Sequence, residues 1–222
     1  SHLTTISPYA FKNCSSLTSV EIPASIKQIQ DGAFEGCTGL VSVTFADSNS
    51  LTSIGNSAFS GCTSLTSVNF GNPTTLRTIC KNAFENCSLS TIRIPSSVDK
   101  IDSGAFAGTP LTKVEYDGDW STVKNQDSNL TPDIVKQRRT INFYANKSDN
   151  NPYKTENHYD GETISAPSIS APEHYNLDGW YNKADDKLYD FTATVSSDLN
   201  LYAKWTPTEH VIKFVDNEHN KA

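Results

Sequence analysis

The stretch from Asn56 to Gly71, N-S-A-F-S-G-C-T-S-L-T-S-V-N-F-G, decides the fold because close copies of it recur along the first half of the chain. The copies align on an Ala-Phe pair, and the Phe residues follow one another at spacings of 23, 25, 25 and 22 residues. They are Phe11, Phe34, Phe59, Phe84 and Phe106. Self-similarity with a period of about 20–50 residues is typical of solenoids. The stretch therefore predicts a stack of similar turns.

Each copy carries apolar residues in fixed columns. After the Ala-Phe pair, a Leu-x-x-Val-x-Ile phrase predicts a short strand whose three apolar side chains point inward. A second apolar pair, such as Leu76 and Ile79, follows on the far limb of the turn. The A-F-x-x-C segment is too short for a long helix and predicts one helical or 3-10 turn. No copy can bury these groups alone, so we expect stacked parallel strands to bury them against each other.

Cysteine occupies one of these columns, three residues after the repeat Phe. The column consists of Cys14, Cys37, Cys62 and Cys87. The fifth copy has Thr109 in that place. We predict a ladder of buried, reduced thiols, because a small and weakly polar residue suits a core column. A disulfide or a metal site is the alternative, and whether Cys80, which lies outside the column, forms a disulfide is also open.

The repeated phrase carries a family resemblance. A-F-x-x-C-x-x-L-x-x-V-x-I, followed by an I-P-x-S-V-x-x-I limb as in Ile94 to Ile101, resembles the BspA-type leucine-rich repeat of bacterial surface proteins. The resemblance covers residues 1–116 as a partial first repeat plus five copies. It implies a mainly β, leucine-rich-repeat solenoid with short helical or 3-10 turns. It also implies a secreted or surface-displayed protein used in adhesion to host proteins, other microbes or surfaces.

Binding would use the outward positions of the predicted strands. Most of these positions hold small polar residues, and Thr suits strands for reasons of packing, so a solvated face is the alternative to a contact surface. Residues that differ between copies are the candidates for specificity, because the repeated residues mostly build the stack. The candidates are Glu21, Asn69, Arg93, Lys113 and Glu115.

The repeat pattern ends at residue 116. We predict a C-terminal cap and connector over residues 117–140, in which Trp120 and Val123 cover the last turn. Within it, Thr131 as N-cap and Pro132 at the first helical position predict a short helix. Residues 141–206 show strand patterns at both ends and form a second module. Residues 207–222 begin a further module or form a tail.

The second module has a resemblance of its own. The ordered phrases I-x-F, Y-D-G-E-T-I, Y-x-L-D-G-W-Y and D-L-N-L-Y-A-K-W resemble the Listeria–Bacteroides repeat, the B-repeat of internalin-type surface proteins. The resemblance implies a small β-grasp-like sheet with Trp180, Tyr202 and Trp205 in or beside its core, serving as a stalk or spacer. The polar stretch from Asn146 to Thr155 departs from the family, which normally turns there with glycine.

Charge and motifs exclude several functions. The net charge is −7, with 7 Lys and Arg against 8 Asp and Glu in residues 1–116, and 11 against 17 in the remainder. Neither half has the basic stripe that nucleic acid requires, and no apolar run reaches the roughly 20 residues of a membrane span. We find no catalytic motif, and the five histidines are isolated in sequence. We therefore predict no enzyme, no cofactor and no bound metal.

Two functions remain open on sequence alone. In the first, the chain is a non-enzymatic adhesion module whose repeat stack binds an extracellular protein or glycan. In the second, it is a purely structural spacer of a larger surface protein. The ligand, the source organism and the oligomeric state are open, and we expect any export signal and anchor to lie outside this sequence.

Overall fold

The computed structural model describes residues 3–72 and 74–208, so most of the predicted tail at 207–222 lies outside the described residues. The chain forms two compact units. The first comprises the residues up to Arg138 together with Tyr159–Gly161, and the second comprises Arg139–His158 and the residues from Glu162 onward. The boundaries predicted at residues 116, 140 and 206 stay predictions.

The first unit is a stack of turns, each with a longer and a shorter strand. The longer strands are β2 (Ser19–Ile22), β4 (Ser42–Phe45), β6 (Ser67–Asn69), β8 (Thr91–Ile94), β10 (Lys113–Tyr116) and β12 (Val135–Tyr144). The shorter strands are β1 (Thr5–Ile6), β3 (Gln28–Ile29), β5 (Ser53–Ile54), β7 (Thr78–Ile79), β9 (Lys100–Ile101) and β11 (Lys124–Asn125). The shorter strands form one parallel sheet, and the longer ones form the parallel runs β2-β4-β6 and β8-β10-β12. The predicted mainly β solenoid is confirmed.

The A-F-x-x-C segment connects these limbs through two alternating sets of hydrogen bonds. The Cys37 N–H donates to the Phe34 carbonyl at 3.2 Å, which closes a tight turn within the copy. The Phe34 and Gly36 N–H groups instead donate to the carbonyls of Ala58 and Ser60 in the next turn, both at 2.8 Å. Alternate amides therefore fold the turn and join it to its neighbour, which keeps the segment short and its backbone satisfied.

The repeat Phe residues form a continuous stack of rings. Successive centroids lie 5.0, 5.0, 5.3 and 5.5 Å apart, with interplanar angles of 9° or less. The last four rings are at most 1% exposed, whereas Phe11 is 43% exposed. Phe11 packs on Phe34 on one side, and no other described ring stacks on its second side.

The Cys column bonds to the backbone of the preceding turn. Each buried thiol donates to the carbonyl of the preceding repeat Phe, at 2.9 Å from Cys37, 3.2 Å from Cys62 and 3.3 Å from Cys87. Thr109 makes the equivalent bond through its hydroxyl at 2.6 Å. The column thus requires a small donor, which explains why Thr replaces Cys in the fifth copy. Cys14 departs from the expectation of burial, because it lies exposed in the first turn.

The last turn ends on a buried carboxylate. Asp127, 2% exposed, accepts the Phe106 N–H at 2.6 Å, in the place where a following turn would offer a carbonyl. Trp120 and Val123 pack against the same core. The short helix predicted from Thr131 is wrong: residues 131–134 form a single turn, and β12 begins at Val135. Pairing of β12 with β10 overrides the local helix signal.

The second unit is a mixed sheet. Besides the part of β12 from Arg139 onward, it contains β13 (Lys154–Tyr159), β14 (Tyr175–Asn182) and β15 (Leu199–Pro207). β15 pairs in parallel with β12 and antiparallel with β14, and β13 pairs with β12. Trp180 lies in the core, Trp205 packs against it, and Tyr202 is 5% exposed. The β-grasp arrangement stays a prediction. Among the described residues, no helix is long and apolar enough to cross a membrane.

Candidate functional site

The five residues proposed for binding lie on the longer strands of the repeat unit. Glu21 and Asn69 occupy one outward row of the run β2-β4-β6. Arg93 and Glu115 lie in register on β8 and β10, and Lys113 belongs to the same strand as Glu115. Glu21, Asn69 and Arg93 are exposed, while Glu115 and Lys113 are half-buried. Glu21, Asn69, Arg93 and Glu115 therefore occupy equivalent positions in their strands. Lys113 lies two residues before Glu115 in β10.

Asp117, directly after β10, contacts the side chains of Arg93, Tyr159 and Arg138. The Arg93 Nε donates to its two oxygens at 2.8 and 3.1 Å, and the Tyr159 hydroxyl donates to Oδ1 at 2.9 Å. The Arg138 Nη1 lies 3.9 Å from the same Oδ1. The bond to Asp117 raises the pKa of Arg93. Burial, followed by the bond to Asp117, raises the pKa of Tyr159. Both groups therefore keep their protons throughout the neutral range.

Lys113 and Glu115 bond to each other. The Lys113 Nζ lies 2.7 Å from the Glu115 Oε1 and 5.6 Å from the centroid of the Tyr159 ring. Both side chains are about one-third exposed, so the pair adds little stability. It does fix the two charges in one place on the strand face, where they offset each other.

A change in repeat length creates a groove beside these residues. In copies two and three, five residues separate the core Phe at the end of the longer strand from the next core Leu, as between Phe70 and Leu76. The fourth copy has three, from Ile94 to Val98. We attribute the groove to this step between longer and shorter loops. Its volume is about 470 Å³, and it is lined by Asp47, Val68, Asn69, Phe70, Gly71, Asn72, Thr74, Arg93, Pro95, Ser96, Ser97, Asp117 and Arg138.

Hydrogen bonds hold the polar wall of the groove in place. The Asp47 Oδ1 accepts the Asn72 N–H at 2.9 Å, and the Asn69 Oδ1 accepts the Gly71 N–H at 3.1 Å. The Thr74 hydroxyl donates to the buried Asn49 at 2.8 Å. These bonds fix the side chains of Asp47, Asn69 and Thr74 before any ligand arrives.

The structure places only part of the predicted site in this groove. Asn69 and Arg93 line it, whereas Glu21, Lys113 and Glu115 do not. The sequence analysis missed Asp117 and Arg138, which follow the last copy and therefore lie outside the repeat columns. The signal that points to the groove is the spacing of 25 residues, because it marks two adjacent copies with longer loops.

The lining of the groove contains both hydrogen-bond donors and acceptors. Two guanidinium groups and two asparagine amides supply N–H donors, and Asp47 supplies acceptors. Within residues 3–72 and 74–208, no group of three or more His, Cys, Asp or Glu side chains could hold a metal ion. A set of paired charges and amides suits contacts with a polar ligand.

Comparison with protein families gives two matches that together cover most of the chain. Residues 1–113 match the BspA type leucine rich repeat region in six copies. Residues 140–204 match the Listeria-Bacteroides repeat domain. Both resemblances seen in the sequence are therefore confirmed. Comparison with curated proteins gives no match.

Similar solved structures are leucine-rich repeat proteins of bacteria. A leucine rich repeat protein of T. pallidum is 32% identical over 51% of this chain and 52% of its own, with a TM-score of 0.46. A leucine rich cell surface protein of Faecalibacterium prausnitzii is 31% identical over 51% and 33%, with a TM-score of 0.42. The pneumococcal vaccine antigen PcpA is 27% identical over 52% and 36%, with a TM-score of 0.40. The matched part spans about half of the first protein and about a third of the other two.

Proposed function

The chain belongs to the BspA-type leucine-rich repeat family, and on that premise we propose that it is a non-enzymatic binding module of a bacterial surface protein. Both of its repeat families are typical of such proteins. In this proposal the repeat unit holds an extracellular protein or glycan against its strand face, and the second unit serves as a stalk or spacer. The ligand is held by shape and polar contacts, without turnover.

One observation carries the proposal: the groove collects non-repeated, polar and charged residues on an otherwise repetitive surface. Asn69 and Arg93 differ from the residues at the same position in other copies, and the longer loops that supply Asp47 and Asn72 occur in only two copies. A spacer needs none of these features, because stacking depends on the buried columns. Arg is also among the residues that most often dominate binding energies at interfaces.

The test is a binding screen of the full chain against matrix proteins and a glycan array. We expect saturable binding to at least one of them. Arg93→Gln should weaken this binding by about tenfold or more, since it removes a charged donor from the groove. Arg77→Gln is the matched control: Arg77 is 65% exposed, is not a lining residue and pairs with Asp99 at 3.6 Å, and its 3.5 Å contact with the carbonyl of the lining residue Ser97 is at the limit of a hydrogen bond.

Two results would contradict the proposal. The first is the absence of saturable binding to any protein or glycan, which would favour the purely structural spacer. The second is saturable binding that Arg93→Gln and Arg77→Gln leave equally unchanged, which would move the binding surface away from the groove. Thermal unfolding of each variant has to match the parent chain, so that lost binding is not lost folding.

A further inference from the structure

We infer that the groove is a receptor for a carboxylate-bearing saccharide, in which Arg93 and Arg138 take the carboxylate and the opposite wall takes hydroxyl groups. This inference rests on the proposed function and names the ligand chemistry of the same site. It follows from three features of the groove: an excess of positive charge at one end, hydroxyl-binding groups at the other, and the lack of a pocket for a large apolar anchor.

The positive end arises because two guanidinium groups share one carboxylate. Asp117 accepts from Arg93 at 2.8 and 3.1 Å and lies 3.9 Å from Arg138. Its side chain is 15% exposed, while those of Arg93 and Arg138 are 55% and 37% exposed. Glu115 also acts on Arg93 but is offset by its own partner Lys113, so these five groups keep one net positive charge at this end of the groove.

Arg93 is also oriented to donate hydrogen bonds to a second carboxylate. Its bonds to Asp117 are made by Nε, which leaves the Nη1 and Nη2 donors for a ligand. The planar guanidinium matches a carboxylate in a two-point arrangement. Asp117 thus acts as a positioning residue, since it holds the Arg93 group in place while the outer donors remain for recognition.

The opposite wall is suited to hydroxyl groups. Asp47 uses Oδ1 to accept the Asn72 N–H at 2.9 Å, and it is exposed. A carboxylate here accepts hydrogen bonds from hydroxyl groups but repels a second anion. The amides of Asn69 and Asn72 supply both donors and acceptors nearby. The groove is therefore bipolar, and a ligand that carries one anionic group beside several hydroxyl groups fits both ends.

Size and polarity favour a saccharide over a protein anchor. The volume of about 470 Å³ falls within the range of about 300–1,000 Å³ that is usual for small-molecule sites. A protein partner generally inserts an aromatic side chain into a desolvated pocket. Here Phe70 is 4% exposed and the other apolar lining residues, Val68 and Pro95, are half-buried, so the groove offers only a small apolar surface to such an anchor.

The experiment is calorimetric titration of the full chain with four probes: sialyllactose, a hyaluronan hexasaccharide, lactose and a hexaglutamate peptide. We expect at least one of the two acidic saccharides to bind, with lactose and hexaglutamate each weaker by about tenfold or more. Affinity should fall as salt concentration rises, because the carboxylate contact is exposed. Arg138→Gln should weaken saccharide binding by about tenfold, and Arg77→Gln should leave it unchanged.

Arg138→Gln is the main variant because it leaves the Arg93–Asp117 bond in place, and Arg93→Gln is the second. If hexaglutamate binds as well as the acidic saccharides, or if lactose does, the ligand assignment is overturned. If neither acidic saccharide binds while a protein or a neutral glycan binds in an Arg93-dependent way, the inference fails and the proposed function stands. If no ligand of any class binds, both fail.

Discussion

The two units of the molecule build their cores from different kinds of contact. In the repeat unit, Phe59 packs between Phe34 and Phe84 with rings nearly parallel, at 5.0 and 5.3 Å. In the second unit, Phe143 meets Trp180 edge to face, at 5.1 Å and 80°. When each turn repeats the same contact, the same residue recurs at a fixed spacing and the core can be predicted from the sequence. When every contact is different, as in the second unit, the sequence shows no such period. This difference explains why spacing alone predicts the first unit.

The outer surfaces differ as well. On the outer face of the second unit, Tyr144, Tyr202 and Tyr181 lie in register on three strands. A lysine ammonium lies over each ring, at 3.4 Å for Lys183 on Tyr144, 5.6 Å for Lys147 on Tyr202 and 4.4 Å for Lys204 on Tyr181. Each ring thus contacts a lysine, and two cavities of about 570 and 340 Å³ also lie in the second unit, the first lined in part by Tyr144 and Lys183 and the second by Tyr202 and Lys147. The repeat unit differs in that its groove collects residues that break the repeat, which is the ground for proposing binding there.

The largest expected effect tests the stack of like contacts. Phe59→Ala removes a fully buried ring with neighbours on both sides, so we expect it to lower the free energy of unfolding by about 3–5 kcal/mol. Phe11→Ala is the matched control, because Phe11 is 43% exposed and has one neighbour. We expect a cost of about 1 kcal/mol there. Urea unfolding measures both, and equal costs would show that stacking does not set the stability of the column.

The second prediction concerns the closed end of the stack. Asp127→Ala leaves the buried Phe106 N–H without its acceptor, and we expect a loss of about 2–3 kcal/mol. Asp127→Asn keeps an oxygen acceptor and should lose less. Asp133→Ala, at an exposed carboxylate, is the control and should change stability by less than about 0.5 kcal/mol. Hydrogen exchange at Phe106 should speed up in Asp127→Ala; unchanged protection there would contradict the assignment of Asp127 as the end of the ladder.

The sequence predicted the stack well and the groove poorly, for physical reasons. Stacking requires the same residue at the same depth in each turn, so Phe59 and its equivalents are visible as a period. The groove depends on a break in that period and on Asp117 and Arg138, which no column contains. The first part of β12 was equally hidden, because Val135 to Gln137 becomes a strand through pairing with β10 and not through its own pattern, whereas the part from Ile141 alternates and was predicted as a strand.

The third prediction tests the row of tyrosines in the second unit. Tyr202 is 5% exposed, and its hydroxyl donates to Asp186. Tyr202→Phe should therefore lower the free energy of unfolding by about 1 kcal/mol. Trp180 and Trp205 belong to this unit and Trp120 to the repeat unit, so fluorescence measured in a Trp120→Phe background reports the unfolding of the second unit. Tyr175→Phe, on a ring that is 42% exposed, is the control. An unchanged free energy of unfolding in Tyr202→Phe would contradict a stabilising role for the bond from Tyr202 to Asp186.

The smallest effect concerns reactivity, and it returns to the columns of the repeat unit. Burial raises the pKa of Cys62 to about 12, and it also raises the pKa of Cys37 and Cys87. The thiolate is the reactive form, so at pH 8 a thiol with a pKa of about 12 is ionised to only about one part in 10⁴. Cys14 is exposed and should react first with a thiol reagent, while Cys80 is half-buried and should react more slowly.

In the native chain at pH 8 we therefore expect one fast thiol, one slow thiol and three that react only on unfolding. Cys14→Ser is the matched variant, because it should remove the fast phase and leave the rest. Because the pKa values of the three buried thiols are raised, their reactivity should increase as pH rises toward those values. If fewer than four thiols react after unfolding without reductant, the column contains a disulfide, and the hydrogen bonds from thiol to Phe carbonyl do not describe the native ladder.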